Sequence, residues 1–176
     1  MTILYYTRGT RTDTAELLPR AAAQFATSRG RPCPNLTIAR APGGKPYFPA
    51  APWLHCSVSH SGDIWLCACS DAPIGIDVQH IRPARTTALA RRFFHPDETA
   101  WLEAHPDNFF LLWTAKEACV KRTGRGIDGE FSRFSVITDG RISCPIAGDT
   151  LRHLPFADDY VLALCGKAET PTLTKL

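Results

Sequence analysis

The 176-residue sequence lacks the features of several specialised protein classes. Its longest apolar runs are far too short to cross a bilayer, which argues against a membrane protein. The N-terminal stretch MTILYYTRGTRTDT has neither the basic region nor the long apolar core of a signal peptide. A formal net charge of only +3, without a concentrated basic stripe, argues against a nucleic-acid-binding protein. This mild positive charge suits an anionic small molecule or an acidic protein partner.

Cysteine spacing gives no sign of a disulfide framework or a metal site. The chain has seven cysteines, an odd number, and no export signal. We therefore expect free thiols in a reducing cytoplasm. Cys67 and Cys69 share one face of a predicted strand, but the further ligands of a metal site are not evident at a sensible spacing. We interpret them as core residues.

The patterning of the chain predicts an α+β fold. Each half offers helical material followed by short strands of antiparallel type, which indicates two similar lobes with a ligand cleft between them. We expect an N-terminal lobe over 1–72 and a C-terminal lobe over 73–176. The predicted helices are 14–29, 84–94, 95–105 and 107–124. The predicted strands are 36–40, 54–60, 64–70, 71–79, 131–137, 140–144 and 159–166. The tail from residue 167 has no clear pattern.

The last predicted helix carries the segment WTAKEACVKRTG, with a lysine where an apolar residue is expected. At about 100° per residue, Lys116 lies in the middle of the apolar stripe, Glu117 lies at its edge, and Lys121 follows Glu117 by one turn. One interpretation is a lysine stem that covers the core beside a surface ion pair. The other is a helix that lines a cleft holding an anion and a metal.

Two loop and turn segments offer polar groups for an anion. Lys45 follows two glycines in GGKPYFP, although the spacing and the Ser/Thr of a P-loop are absent. Ser59 and His60 lie in SVSHSGD at the end of a predicted strand, where they could donate hydrogen bonds to a phosphate. A serine hydrolase is rejected, because the GxSxG motif and a carboxylate placed for a triad are missing. A solvated turn lysine and a structural histidine remain the alternatives.

The segment PIGIDVQH predicts a buried strand with polar side chains near its end. Asp77 and Gln79 point to the same side under period-2 alternation. A buried aspartate is costly unless it is paired, hydrogen-bonded or bound to a metal. Mg²⁺ takes oxygen ligands and often needs only one or two carboxylates. Asp77 with Glu117 would meet that need, and Gln79 could add an amide oxygen or hold a water. A turn-capping aspartate is the alternative.

Taken in chain order, these motifs resemble the 4′-phosphopantetheinyl transferase superfamily. The match runs over about residues 43–127 through GKP, VSHS, IGIDV, RRFF with its following glutamate, and WTAKEACVK. It resembles the pseudodimeric branch and its shorter bacterial relatives that activate acyl carrier proteins. The resemblance implies two lobes related by a pseudo-twofold axis, with coenzyme A and Mg²⁺ in the cleft. It also implies transfer of the phosphopantetheine arm to a carrier serine, with release of adenosine 3′,5′-bisphosphate.

The resemblance also implies roles for residues around the expected nucleotide. Lys45, Ser59 and His60 match residues that hold the nucleotide and its 3′-phosphate. Arg20 loosely matches an arginine near that phosphate. Lys116 and Lys121 match lysines near the diphosphate and complete the predicted contacts with coenzyme A.

The same resemblance implies a set of acids at the metal. Asp77 matches the first metal carboxylate, and Glu117 matches the second and the base for the incoming serine. Glu98 matches a further acid of the family. Many relatives in this branch have Asp-x-Glu where this chain has Asp77-Val78-Gln79. We expect the missing carboxylate to weaken Mg²⁺ binding or to leave a water in its place.

Three functions can be compared on this basis. The main prediction is a monomeric, cytoplasmic transferase that acts on an acyl or peptidyl carrier protein. Carrier proteins are typically acidic, which suits four nearby arginines. These are Arg82, Arg85, Arg91 and Arg92. The alternatives are a coenzyme A-binding module that has lost activity through the Gln79 change, and an interaction protein that docks through its Pro-rich loops and its Phe/Trp segment.

Overall fold

The computed structural model describes residues 1–9, 13–31, 33, 35–126 and 131–176. The chain forms a mixed α+β fold built on two antiparallel-rich sheets. The strands of the two main sheets are β1 Thr2–Arg8, β4 His55–Ser61, β5 Ile64–Ser70, β6 Gly75–His80, β9 Thr150–Leu154, β10 Tyr160–Gly166 and β11 Thr172–Lys175. The helices are α1 Thr14–Ser28, α2 Thr86–Phe93, α3 Pro96–Ala104 and α4 Phe109–Thr123.

The first sheet has the strand order β11-β1-β5-β4, and the second has the order β6-β10-β9. Two small hairpins, β2 (Ala39–Arg40) with β3 (Pro46–Tyr47) and β7 (Ile137–Thr138) with β8 (Arg141–Ile142), complete the described strands. All pairings are antiparallel except that of β11 with β1, which is parallel. The C-terminal strand therefore returns to the sheet that the N-terminal strand begins.

Strand alternation sorts the core into three clusters. On β5, Trp65, Cys67 and Cys69 pack against α1, whereas Leu66 and Ala68 face the second sheet. The two sheets thus share an apolar core between them, α1 covers the outer face of the first sheet, and α4 covers the outer face of the second. Because residues 76 and 78 point into the shared core, residues 75, 77 and 79 must point toward α4.

The observed limits of helix α4, Phe109–Thr123, lie within two residues of the predicted ones. It ends at Thr123, and the capping residue Gly124 has a φ of 74°, the left-handed conformation that favours glycine. Strand β6 passes so close to this helix that a Cβ on Gly75 would lie 1.9 Å from the carbonyl oxygen of Ala118. The absence of a side chain at residue 75 therefore sets the distance between the strand of Asp77 and the helix of Glu117.

Several predicted elements differ from the observed ones. The predicted strand over 131–137 is wrong, because only Ile137 enters a strand and the preceding residues form turns. The predicted strand over 36–40 shortens to two residues. Strands β1, β3, β9 and β11 are not predicted, and β11 lies in the tail that has no clear pattern. Among the described residues, no helix is long and apolar enough to cross a membrane. All seven cysteines are free thiols, as predicted.

Candidate functional site

A cleft of about 610 Å³ opens between α4, the β2–β3 hairpin and the end of β4. Glu117 and Lys121 line it from the helix, and His60 lines it from the strand. The hairpin loop contributes Gly43 and Gly44. The cleft therefore brings together three of the segments that sequence motifs single out.

Asp77 and Lys121 form the central charged pair beside this cleft. The Nζ atom of Lys121 lies 2.7 Å from Oδ1 of Asp77 and donates to Oγ of Ser59 at 3.1 Å. Asp77 is almost fully buried, whereas the side chain of Lys121 keeps 28% of its surface exposed. The lysine thus neutralises a buried carboxylate and still reaches the cleft.

Serine side chains hold Asp77 and its strand in place. Oγ of Ser59 donates to Oδ1 of Asp77 at 2.7 Å and accepts from the backbone N–H of Val78 at 3.2 Å. Ser57 and Ser61 accept in the same way from residues 76 and 80, at 3.1 and 3.0 Å. The alternating serines of SVSHS therefore provide hydrogen-bond acceptors for the backbone N–H groups along the edge of β6, where the two sheets meet.

Gln79 is already engaged by neighbouring polar groups. Its Nε2 donates to Oδ2 of Asp77 at 3.2 Å, and its Oε1 accepts from Oγ of Ser61 at 3.3 Å. Asp77 and Gln79 thus lie on the same side of β6, as the period-2 pattern predicts. Gln79 supports the aspartate through its amide, where a glutamate would add a second negative charge.

Glu117 has an acidity that departs from that of an ordinary glutamate. Its side chain is buried, and burial together with repulsion from Asp77 raises its pKa to about 7, while Lys121 partly opposes the shift. No hydrogen bond or ion pair reaches its carboxylate from the part of the chain that the structure describes. Glu117 is therefore available to a cation or a proton at the wall of the cleft.

Lys45 has its ammonium group turned away from open solvent. Its Nζ donates to the carbonyl oxygens of Ile74 at 2.7 Å, Lys121 at 2.6 Å and Arg122 at 3.2 Å. Burial lowers its pKa to about 8, whereas three carbonyl acceptors favour the protonated form. Lys45 lines the cleft with its stem and ties the hairpin to the C-terminal end of α4.

The structure places Lys116 and Glu98 away from the cleft, which corrects the predicted position of both. Both side chains are fully buried, and Nζ of Lys116 lies 2.6 Å from Oε2 of Glu98. The ammonium also donates to the carbonyl oxygen of Phe134 at 2.7 Å and sits 4.2 Å from the centre of that ring. Burial lowers the pKa of Lys116, and Glu98 opposes that shift. Lys116 occupies the apolar stripe because its partner lies inside the core.

Arg20 also lies outside the cleft. It is exposed on α1, where Nη1 lies 3.8 Å from a carboxylate oxygen of Glu16. Two residues that sequence reasoning missed do line the cleft, Thr14 at the start of α1 and Arg40 in the hairpin. The signal for Arg40 is its position at the other end of the Gly-Gly turn from Lys45, where a hairpin places both on one side of the loop.

Comparison with known proteins adds an independent finding. The model of the 4′-phosphopantetheinyl transferase superfamily matches residues 73–165, which carry Asp77, Glu117 and Lys121. A 4′-phosphopantetheinyl transferase of Bacillus subtilis is 36% identical over 166 residues, covering 88% of this chain and 73% of that protein. The transferase Sfp of the same species is 37% identical over 107 residues, covering 57% of this chain and 47% of that protein.

Proposed function

This chain belongs to the 4′-phosphopantetheinyl transferase superfamily and is such a transferase by homology over most of its length, and we propose that its reaction takes place at the cleft beside α4. It transfers the phosphopantetheine arm of coenzyme A to a serine of an apo acyl or peptidyl carrier protein and releases adenosine 3′,5′-bisphosphate. The observation that carries this proposal is that Glu117 and Lys121 line one wall of the cleft and that Lys121 contacts the buried carboxylate of Asp77 directly behind it.

The donor set of this wall fits Mg²⁺. Burial, and then repulsion between the buried carboxylates of Glu117 on α4 and Asp77 on β6, raises the pKa of Glu117, and a divalent cation would relieve that repulsion. Asp77 and Glu117 would hold the ion, and Gln79 would keep Asp77 oriented through its amide. When bound, Mg²⁺ stabilises negative charge that develops on phosphate oxygens.

The proposed roles of the other side chains follow from their positions at the cleft and from their charges. Glu117 accepts the proton of the carrier serine, directly or through a water, because its side chain lines the cleft that the serine must enter. Lys121 has an ammonium group beside Asp77 and a partly exposed stem, and it neutralises charge on the diphosphate. His60 and Arg40, both exposed at the cleft, bind the nucleotide phosphates. Lys45 and Ser59 are positioning residues.

The arrangement of the two sheets supports the proposal of two related lobes over 1–72 and 73–176. Each proposed lobe has one 15-residue helix that covers the outer face of a sheet. The pseudo-twofold relation and a monomeric state remain proposals on this basis. Strand β11 is the part of the second lobe that returns to the first sheet.

An acidic carrier protein is the proposed partner. Arg82, Arg85, Arg91 and Arg92 are all exposed on α2 and the segment before it. Opposite charges across an interface raise association rates and orient the partner. We expect the reaction to run in the cytoplasm, in line with the seven free thiols.

The second candidate, an inactive coenzyme A-binding module, rests on Gln79. Its amide carries no negative charge, so the metal site has one carboxylate fewer than the sites of many relatives. Mg²⁺-dependent turnover separates the two proposals, and a Gln79→Glu variant tests the effect of Gln79 on metal binding. An active enzyme with weak metal binding predicts a lower Mg²⁺ concentration for half-maximal activity in this variant. An Mg²⁺ requirement that does not change would contradict the expected effect of Gln79.

The test of the transferase is the intact mass of a purified apo carrier protein after incubation with this protein, coenzyme A and Mg²⁺. We expect a gain equal to one phosphopantetheine arm on the carrier serine, which EDTA abolishes and excess Mg²⁺ restores. An unchanged mass across several fatty-acid, polyketide and peptide carriers, despite calorimetric binding of coenzyme A, would favour the inactive module.

A further inference from the structure

Three thiols from three separate elements meet behind α4, away from the proposed transferase site. Cys119 lies on α4, Cys165 on β10, and Cys144 in the segment after β8. The Sγ atom of Cys165 lies 3.6 Å from that of Cys119 and 3.6 Å from that of Cys144. All three sulfur atoms lie within 4.8 Å of one another. Among the described residues, this is the one group of three or more His, Cys, Asp or Glu side chains whose ligand atoms lie this close together.

The sulfur spacing matches what a shared metal ion requires. Sulfur ligands about 2.3 Å from one Zn²⁺ ion lie roughly 3.8–4.0 Å apart in tetrahedral or trigonal geometry. The two separations of 3.6 Å need shifts of only a few tenths of an ångström to reach that range, and the third separation, between Cys119 and Cys144, is at most 4.8 Å. A disulfide would instead require two sulfurs to approach to about 2.05 Å within a packed core. The geometry therefore favours a metal ion over a disulfide.

A second cysteine pair provides a contrast within the same chain. Cys67 and Cys69 have sulfur atoms 3.8 Å apart on one face of β5. No third ligand atom joins them within the same distance among the described residues. Two thiols on one strand are a common core arrangement, whereas three thiols from a helix, a strand and a loop enclose a point in space.

The surroundings also suit the charge of a trithiolate zinc site. Zn²⁺ with three thiolates carries one net negative charge. Asp149, whose side chain is fully buried, adds to the effect of burial in raising the pKa of the Cys144 and Cys165 thiols, but it ion-pairs with Arg122 at 2.8 Å and Lys167 at 3.4 Å, so two cations offset its negative charge. Cys144 is only half-buried, and a cavity of about 180 Å³ reaches Cys119. The cluster is therefore accessible at Cys119 and at Cys144.

We propose that Cys119, Cys144 and Cys165 form a structural site for one Zn²⁺ ion that stabilises α4 on the face opposite Glu117 and Lys121. Residues two apart on a helix point about 200° apart, so Cys119 faces away from Glu117 and from Lys121. An ion at this position ties α4 to β10 and to the segment after β8. Such a site stabilises the helix that carries the transferase wall without touching the substrates.

The experiment measures thiolate ligation directly in the full-length, reduced protein with saturating Mg²⁺ present. Cd²⁺ is the probe, because its sulfur-to-metal charge-transfer absorption reports thiolate ligands and not carboxylates. Cys144→Ser removes the half-buried ligand, and Cys33→Ser is the matched control because Cys33 is also half-buried and lies outside the cluster. We expect one Cd²⁺ per chain in the wild type and in Cys33→Ser. Affinity should fall about tenfold or more in Cys144→Ser.

A second measurement on the unmodified chain keeps the proposal testable if the variant folds poorly. Zn²⁺ should protect Cys144, but not Cys33, from alkylation as followed by peptide mass spectrometry. At 100-fold above its dissociation constant it should raise the melting temperature by roughly 5–11 °C. Absence of the charge-transfer band in the wild type, equal Cd²⁺ binding by Cys144→Ser, or equal alkylation of both cysteines would overturn the proposal.

Discussion

At the scale of single residues, Glu117 is the group whose surroundings most clearly depart from those of a surface side chain. Burial and the nearby Asp77 favour its protonated form in the folded protein. A carboxyl whose pKa is higher in the folded state than in the unfolded state binds its proton more tightly when folded. Its contribution to stability is therefore lost as pH rises from the unfolded pKa, near 4.5, through the folded pKa, about 7.

Glu117→Gln should remove this pH dependence. In urea titrations without Mg²⁺, the free energy of unfolding of the wild type should fall between pH 5 and pH 8 by an amount on the order of 3 kcal/mol from this group. The glutamine variant should lack that component. Glu103→Gln, which changes an exposed glutamate, is the control and should keep the wild-type profile. A Glu117→Gln profile that matches the wild type would contradict the raised pKa.

Lys116 and Glu98 form a buried pair whose role is structural. Glu98 also accepts the backbone N–H groups of Val136 at 2.8 Å and His95 at 2.9 Å, so its carboxylate joins three segments. Lys116→Met leaves this carboxylate buried without its cation. We expect a loss of about 3–5 kcal/mol in the free energy of unfolding.

The double variant Lys116→Met/Glu98→Gln should recover part of that loss, because it no longer buries an unpaired charge. Mg²⁺ affinity, measured by calorimetry at a temperature where the variants remain folded, should stay at the wild-type value. A Mg²⁺ affinity that falls in Lys116→Met without any loss of stability would instead place the lysine at the metal.

At the scale of elements, the contact between β4 and β6 depends on side chains. The serines at 57, 59 and 61 accept backbone N–H groups of β6, as a neighbouring strand's carbonyls would in a continuous sheet. This contact fixes β6, and with it Asp77, relative to the first sheet. The exposure of the serines differs, since Ser57 is 2% exposed and Ser61 is half-buried.

Ser57→Ala should therefore destabilise the protein more than Ser61→Ala. The first leaves the buried N–H of Ile76 without an acceptor, at a cost of about 1–3 kcal/mol. Near Ser61, water can replace the lost hydroxyl, so the change should be smaller. Urea unfolding of both variants measures the difference. Equal losses would indicate that the β4–β6 contact depends on packing and not on these hydrogen bonds.

Local pattern predicts the elements whose neighbours lie close in sequence. The β4–β5 hairpin and α4 with its terminal glycine follow from alternation, periodicity and turn residues. Strand β11 has no such signal, because its exposed TLTK segment is ordered by pairing with β1 at the other end of the chain. The 131–137 segment alternates like a strand, yet Phe131 and Phe134 turn around the ammonium of Lys116.

The candidate site was predictable in part for the same reason. Asp77 and Gln79 share a side of β6 by strand alternation, and Glu117 and Lys121 share a face of α4 by helix periodicity. Periodicity cannot tell which helix face meets the core and which meets the cleft. Lys116 therefore appeared beside the expected diphosphate, although its partner Glu98, on α3, lies inside the core. The three clustered thiols come from distant segments, so spacing does not reveal them.

At the scale of the whole molecule, two sheets share a core and meet at the β4–β6 edge, while one helix covers each outer face. The cleft lies where the hairpin, β4 and α4 approach one another. Its two carboxylates come from β6 and α4, and the glycine at residue 75 allows the close approach of these elements. The central claim is that this wall performs a metal-dependent transfer.

The most direct test is the single-turnover rate of carrier modification, followed by intact mass, for the wild type, Glu117→Gln and Glu103→Gln with Mg²⁺ and coenzyme A in excess. We expect a rate about 100-fold lower or more for Glu117→Gln, because both the proton acceptor and a metal ligand are lost. Glu103→Gln should react at the wild-type rate. A Glu117→Gln variant that modifies the carrier as fast as the wild type would show that this wall of the cleft does not carry out the transfer.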